Sequence, residues 1–186
     1  MAAVDHQRSD GSLILVSGPS RGGKSRWAES LLEDHPRVTY VATSPSRPND
    51  SAWQERLRVH RDRRPSHWQL LESGSELGAC LASIDPQQSV LIDALGGYVA
   101  MHLDLNPSEW TSESEAFVEI LRSMPQTRVL VIEETGWGVV PPTRIGGLFR
   151  DRLGALAQCL QTQADQSWLV LQGRAINLGE LGQLVP

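Results

Sequence analysis

Short apolar runs alternate with stretches of helical periodicity along the whole chain. The runs cover residues 13–17, 38–43, 68–71, 90–95, 128–133 and 168–172. Several of them (Leu-Ile-Leu-Val, Val-Leu-Ile, Val-Leu-Val-Ile, Trp-Leu-Val-Leu) are apolar on both faces, as expected of strands covered by helices above and below. Helical patterns fill the intervals, at 24–33, about 51–63, 75–83, 97–103, 108–122 and 143–163. The alternation predicts an α/β fold, a mostly parallel sheet flanked by helices. In such sheets ligands bind outside the carboxyl ends of the strands, so the residues just after each run are where chemistry is sought.

The first such position carries Gly18, Pro19, Ser20, Arg21, Gly22, Gly23, Lys24 and Ser25, which fit the phosphate-loop pattern G-x-x-x-x-G-K-[ST] at every fixed position. Glycines let main-chain N–H groups converge on phosphate, and the following helix adds its positive dipole end. In that pattern Lys24 reaches the β and γ phosphates and Ser25 holds Mg²⁺. An ordinary turn at Gly22-Gly23 is the alternative, but an apolar strand before the loop and a helical pattern after it (Trp27, Ala28, Leu31, Leu32) supply the context the motif requires. The fold expected is therefore single-domain and P-loop NTPase-like.

Composition narrows the class. The 186 residues suit one domain, read as a flexible arm over 1–11 and a nucleotide-binding domain over 12–186. No apolar run approaches the roughly 20 residues of a membrane helix, and the first residues lack the apolar core of an export signal, so a cytoplasmic protein is expected. A net charge of −5 argues against broad nucleic-acid binding. Cys80 and Cys159 fall in apolar helical patterns and read as core fillers.

Three further positions invite chemistry. Asp93 ends an aliphatic strand, where it either orients Mg²⁺ near the γ phosphate or caps the next helix. Glu133-Glu134 ends another, facing either the site or the surface, and a glycine- and proline-rich loop over 135–142 follows as a lid or substrate wall. The densest positive cluster lies on the helix that Ser51 is expected to cap, with Gln54 reaching back. Helical spacing puts Arg56, His60 and Arg63 on one side of it, with Trp53, Leu57 and Arg64 adjacent. Flanking arginines oppose protonation of His60, leaving a ring nitrogen able to attack phosphorus; a histidine among arginines is otherwise solvated surface.

The phosphate loop, the segment Arg56-Leu-Arg-Val-His60-Arg-Asp-Arg-Arg64-Pro65, Trp68, the segment Glu134-Thr-Gly-Trp-Gly-Val-Val-Pro141 and Phe149-Arg-Asp151 with Gly154 occur in an order that resembles one family. It is the bifunctional adenosylcobinamide kinase/adenosylcobinamide-phosphate guanylyltransferase family of cobalamin biosynthesis. The resemblance implies two reactions. ATP or GTP phosphorylates adenosylcobinamide; GMP then passes from GTP, through a guanylylated histidine matching His60, to give adenosylcobinamide-GDP. It further implies nucleotide contacts from Thr43, Ser44, Pro45, Arg61, Asp62, Arg63, Arg64, Glu72 and Asp93, besides the loop residues. Glu72 would accept from guanine N–H groups or be a surface acid at a strand end. Mg²⁺ would be bound by Ser25 and Asp93, and the assembly would be a homotrimer. Trp53, Trp110 and Trp137 would sit at subunit contacts or be partly buried core. The chain departs from the family pattern at Gly22, where serine is usual, across Asp50-Ser-Ala-Trp53, where an acidic-acidic-Met stretch is usual, and at His102 and Ala157, where asparagine is usual. Another small-molecule kinase, or a catalytically weakened nucleotide-binding homologue, is the alternative reading.

Overall fold

The computed structural model describes residues 11–44, 48–138 and 141–185. Among them, seven strands form one sheet: β1 (Leu13–Gly18), β2 (Val38–Ala42), β3 (Gln69–Glu72), β4 (Ser89–Asp93), β5 (Arg128–Glu133), β6 (Gln166–Leu171) and β7 (Arg174–Asn177). Their order is β3-β2-β4-β5-β1-β6-β7, parallel throughout except for β7, which runs antiparallel to β6. The helices are α1 (Lys24–Ser30), α2 (Ser51–Arg63), α3 (Leu77–Ala82), α4 (Leu95–Met101), α5 (Pro107–Ser123), α6 (Arg144–Gln161) and α7 (Leu178–Leu181).

The doubly apolar runs become the central strands because alternate side chains feed two cores. Leu13, Leu15, Val90, Ile92, Leu130 and Ile132 pack on one face with residues of α3, α4, α5 and α6. Ile14, Val16, Leu91, Val129 and Val131 pack on the other with Ala28 of α1, Leu32 and Trp68. The neighbours of each strand therefore alternate between layers, as the pleat requires.

The helices start where side chains satisfy their first amides. Asn106 and Glu109 form a capping box at α5, with Pro107 at the first helical position. Asp50, not Ser51, caps α2: its carboxylate accepts from the Trp53 N–H at 2.9 Å, and Ser51 is the first helical residue. An ionised acid at this point also meets the positive end of the helix dipole, which a serine hydroxyl does not match. Trp110 is core, 8% exposed, whereas Trp137 is 58% exposed and Trp53 lies between these extremes. Cys80 packs against the core, but Cys159 lies on the exposed face of α6 and fills no core.

Among the described residues, none of α2 belongs to either buried cluster. The helix lies across the carboxyl edge of the sheet and is held there by polar contacts described below.

Candidate functional site

The phosphate loop joins β1 to α1. Arg21 takes the left-handed conformation at φ 59°, and Gly23 has φ 108°. The loop is fixed from below: a Cβ on Gly22 would lie 2.7 Å from the Val170 carbonyl oxygen, and one on Gly18 would meet the same oxygen. Glycine at 22 therefore lets the loop lie directly on β6, and Gly173 N–H donates to the Gly22 carbonyl at 3.1 Å. This accounts physically for the departure at Gly22. Lys24 is 8% exposed, and its Nζ donates to the Pro19 carbonyl at 2.8 Å. Pro19 is half-buried and Ser20 exposed on the loop.

Two concavities meet above the strand ends. A cleft of about 440 Å³ is lined by Arg21, Gly23, Lys24, Ser25, Arg26, Ala52, Glu55, Val59, His60 and Arg63. A cavity of about 530 Å³ opens over β2, β3, β4 and β5, walled by Ser44, Arg61, Arg64, Glu72, Asp93 and Glu133 among others, and again by His60. His60 is thus shared by the phosphate-loop cleft and the larger cavity.

Strand register sets out the acids. Ala42 pairs with Glu72 on one side and Asp93 on the other, and Gly18 pairs with Glu133. Asp93 does not cap α4, whose N-cap is Ala94. Its Oδ2 accepts from the Tyr40 hydroxyl at 2.8 Å. Burial and the neighbouring Asp93 hold the Tyr40 phenol far above its ordinary range, so it stays a donor. Of the acid pair ending β5, Glu133 faces the larger cavity and accepts from Gly96 N–H at 2.9 Å, while Glu134 faces a groove beside α6. Burial pushes the Glu133 carboxyl up, Asp93 adds to the rise, and the Gly96 amide and Lys24 oppose it.

The basic helix is pinned by two of its own arginines. Arg63 grips Glu29 of α1 in a bidentate pair, Nε to Oε2 at 2.5 Å and Nη2 to Oε1 at 2.6 Å. The Glu29 side chain is only 9% exposed, and burial drives its carboxyl up despite the pairing. Arg64 stacks on Tyr40 at 4.0 Å and donates through Nε to the His60 carbonyl at 3.2 Å. Two expected nucleotide contacts are thus engaged in positioning α2. Asp62 pairs with Arg58 on the exposed side of the helix and lines neither concavity. Thr43 is fully buried, its hydroxyl donating to the Ala94 carbonyl, so it ties the end of β2 to the start of α4. Pro45, the Arg56 side chain, and Val139 and Val140 of the expected lid lie outside the described residues.

Among the described residues no group of three or more His, Cys, Asp or Glu side chains is arranged to hold a metal. Nor is any described helix long and apolar enough to cross a membrane.

Comparison with known proteins gives the family. The CobU family model, described as cobinamide kinase / cobinamide phosphate guanyltransferase, matches residues 14–178. The bifunctional adenosylcobalamin biosynthesis protein CobU of Escherichia coli (strain K12) is 34% identical over 181 residues, covering 89% of this chain and 99% of the relative. The protein of the same name from Salmonella typhimurium is 33% identical over the same length and shares. Among solved structures, an ATPase from the type III secretion system of pathogenic bacteria aligns with a TM-score of 0.58 at 10% identity, over 94% of this chain and 59% of that one. At that identity the likeness speaks for the fold alone. Phosphate loop, histidine-bearing helix and near-full-length relatives converge: the chain belongs to the cobinamide kinase/cobinamide phosphate guanyltransferase family.

Proposed function

We propose that this protein phosphorylates adenosylcobinamide with ATP or GTP and then transfers GMP from GTP to the product, giving adenosylcobinamide-GDP in cobalamin biosynthesis. The observation that carries the reading is the shared place of His60, at the seam of the two concavities. A nucleotide with its β and γ phosphates on the phosphate loop and its base toward Glu72 has its α phosphorus between them. A histidine at the seam is therefore beside the α phosphorus, the atom that guanylyl transfer requires.

In the transfer half, a His60 ring nitrogen attacks the α phosphorus, the bond to the β phosphate breaks, and pyrophosphate leaves. Lys24, Arg21 and the main-chain N–H groups of Gly23, Lys24 and Ser25 stabilise the departing charge. Arg61 and Ser44 line the larger cavity, where base and ribose would lie, and Glu72 is an acceptor for guanine N–H groups. Mg²⁺ fits the Ser25 hydroxyl and the Asp93 carboxylate, hard oxygen donors of the kind it takes alongside substrate phosphates, and would neutralise triphosphate charge. A homotrimer is part of the proposal. The exposed Trp137, Ile145 and Leu148 near the start of α6 give it apolar surface, and light scattering tests it.

The deciding experiment uses GTP labelled in its α phosphate. Protein-bound label that is acid-labile, alkali-stable and lost in His60→Ala is the expected result. A wild-type protein that binds GTP without acquiring label would overturn the guanylyltransferase assignment.

A further inference from the structure

The phosphoryl-transfer half of the reaction needs a group that His60 does not supply. The acceptor is an alcohol, and its proton must leave as the oxygen attacks the γ phosphorus. Guanylylation of His60 has no such requirement at the attacking atom, because a ring nitrogen attacks through its lone pair and carries no proton as pyrophosphate departs; the proton on the other ring nitrogen is lost away from phosphorus.

Three strand-end acids line the larger cavity, and they are not equivalent. Glu72 is exposed on the edge strand β3, and Asp93 is engaged by the Tyr40 hydroxyl. Glu133 alone is on the strand hydrogen-bonded to β1, in register with Gly18, the first residue of the phosphate loop. The next residue tightens this placement, since Glu134 N–H donates to the Gly18 carbonyl at 2.8 Å.

The surroundings of Glu133 are built for a carboxylate. Its Oε2 accepts from Gly96 N–H in the first turn of α4. A Cβ at position 96 would lie 2.6 Å from that oxygen and 2.9 Å from Oε1, so any side chain there would displace the carboxyl. The carboxyl borders both the larger cavity and the groove beside α6, which gives an acceptor two directions of approach.

We infer that Glu133 is the catalytic base of the kinase half-reaction, accepting the proton of the substrate hydroxyl; the inference rests on the kinase activity proposed above. The hydroxyl oxygen bonds to the γ phosphorus, and the bond from that phosphorus to the β,γ-bridging oxygen breaks. Its electron pair leaves with the nucleoside diphosphate, and the proton passes to the Glu133 carboxylate. Burial makes this carboxylate more basic than an exposed one, which favours accepting a proton from an alcohol whose acidity grows as the bond to phosphorus forms.

Glu133→Gln keeps an acceptor for the Gly96 amide and removes only the basicity. With adenosylcobinamide and ATP or GTP, its kcat for phosphorylation is expected to fall by about 10²–10⁴-fold. Protein-bound label from α-labelled GTP should fall far less, which also reports that the variant is folded and binds nucleotide. Glu133→Asp, with its shorter but basic side chain, should recover part of the lost rate. Phosphorylation by Glu133→Gln within about threefold of wild type overturns the inference, and so does an equal loss of both activities. A wild-type protein that acquires label yet phosphorylates no cobinamide overturns the kinase reading itself, and that result is visible before any variant is made.

Discussion

The pair between Arg63 and Glu29 is the main tie between the histidine helix and the phosphate-loop helix, and cutting it should separate stability from chemistry. Arg63 stands three residues beyond His60 on α2, a helix that gives no side chain to the described core. Breaking a fully buried pair from one side costs about 3–5 kcal/mol, because the remaining charge loses its partner without regaining water. Here the Glu29 side chain is 9% exposed but that of Arg63 is 29% exposed, so water reaches the site once α2 lifts. That lowers the expected loss for Arg63→Ala to about 2–3 kcal/mol, read from urea unfolding. Glu29→Ala should cost a similar amount, and the double variant much less than the sum. A coupling energy of about 1–2 kcal/mol follows from the shared bidentate contact. The functional effect should be larger on guanylyl transfer than on phosphorylation. A shift of about 1 Å in His60 suffices for roughly a 100-fold loss in labelling rate, whereas the phosphate loop is fixed independently by β6. A single variant that loses less than about 0.5 kcal/mol, the range of ordinary surface substitutions, and labels at the wild-type rate would refute the reasoning.

Gly22→Ser restores the residue usual in the family, yet its Cβ would lie 2.7 Å from the Val170 carbonyl. It should cost about 1–3 kcal/mol by overpacking and weaken nucleotide binding, as calorimetry would reveal; unchanged affinity and stability would show that the loop has room. Tyr40→Phe removes the donor to Asp93 and should raise the Mg²⁺ concentration for half-maximal activity, with a stability loss near 1 kcal/mol; an unchanged Mg²⁺ titration would separate Asp93 from the metal. Glu133→Gln should raise the melting temperature at pH 7. Burial lifts the folded-state pKa of Glu133 above its ordinary value, so the linked stability is fully present below the ordinary carboxylate range and is lost as pH rises through the raised value. The advantage of the variant should accordingly vanish in acid, and equal melting temperatures at both pH values would contradict it.

The parts of the site that are contiguous in sequence were legible in advance, and those that depend on distant partners were not. The loop from Gly18 to Ser25 and the extent of α2 follow from local patterns, and the central strands from apolar runs covered on both faces. Strand β7 and helix α7 have only four residues each, too few to show a period. Their one signal is Gln172-Gly173, both at positive φ (51° and 76°), a two-residue hairpin turn after an apolar run. The contacts of Arg63 with Glu29 and of Thr43 with Ala94 are not legible locally, because the partners lie 34 and 51 positions away. Glu133 stayed undecided for the same reason. Which way a strand-end acid faces depends on Gly96, which lies 37 positions earlier in the chain.

The strand order explains how one nucleotide-binding edge accommodates two chemistries. From the phosphate-loop strand the sequence of neighbours is β1, β5, β4, β2, β3, so Glu133, Asp93 and Glu72 stand one, two and four strands away. At about 4.8 Å per strand these are lateral offsets of roughly 5, 10 and 19 Å. In the proposed scheme the acid one strand from the loop serves the γ phosphate and the alcohol that attacks it. The acid four strands away would then meet the base at the opposite end of the nucleotide. His60 reaches the interval between them from above, on a helix anchored at Glu29 near the loop and at Tyr40 near Asp93. Arg63 and Arg64 are consecutive at the carboxyl end of α2, so the two anchors together fix that end of the helix, three and four residues beyond His60. With that end fixed, the proposed scheme divides the work: phosphorylation falls to Glu133 beside the loop and guanylylation to His60.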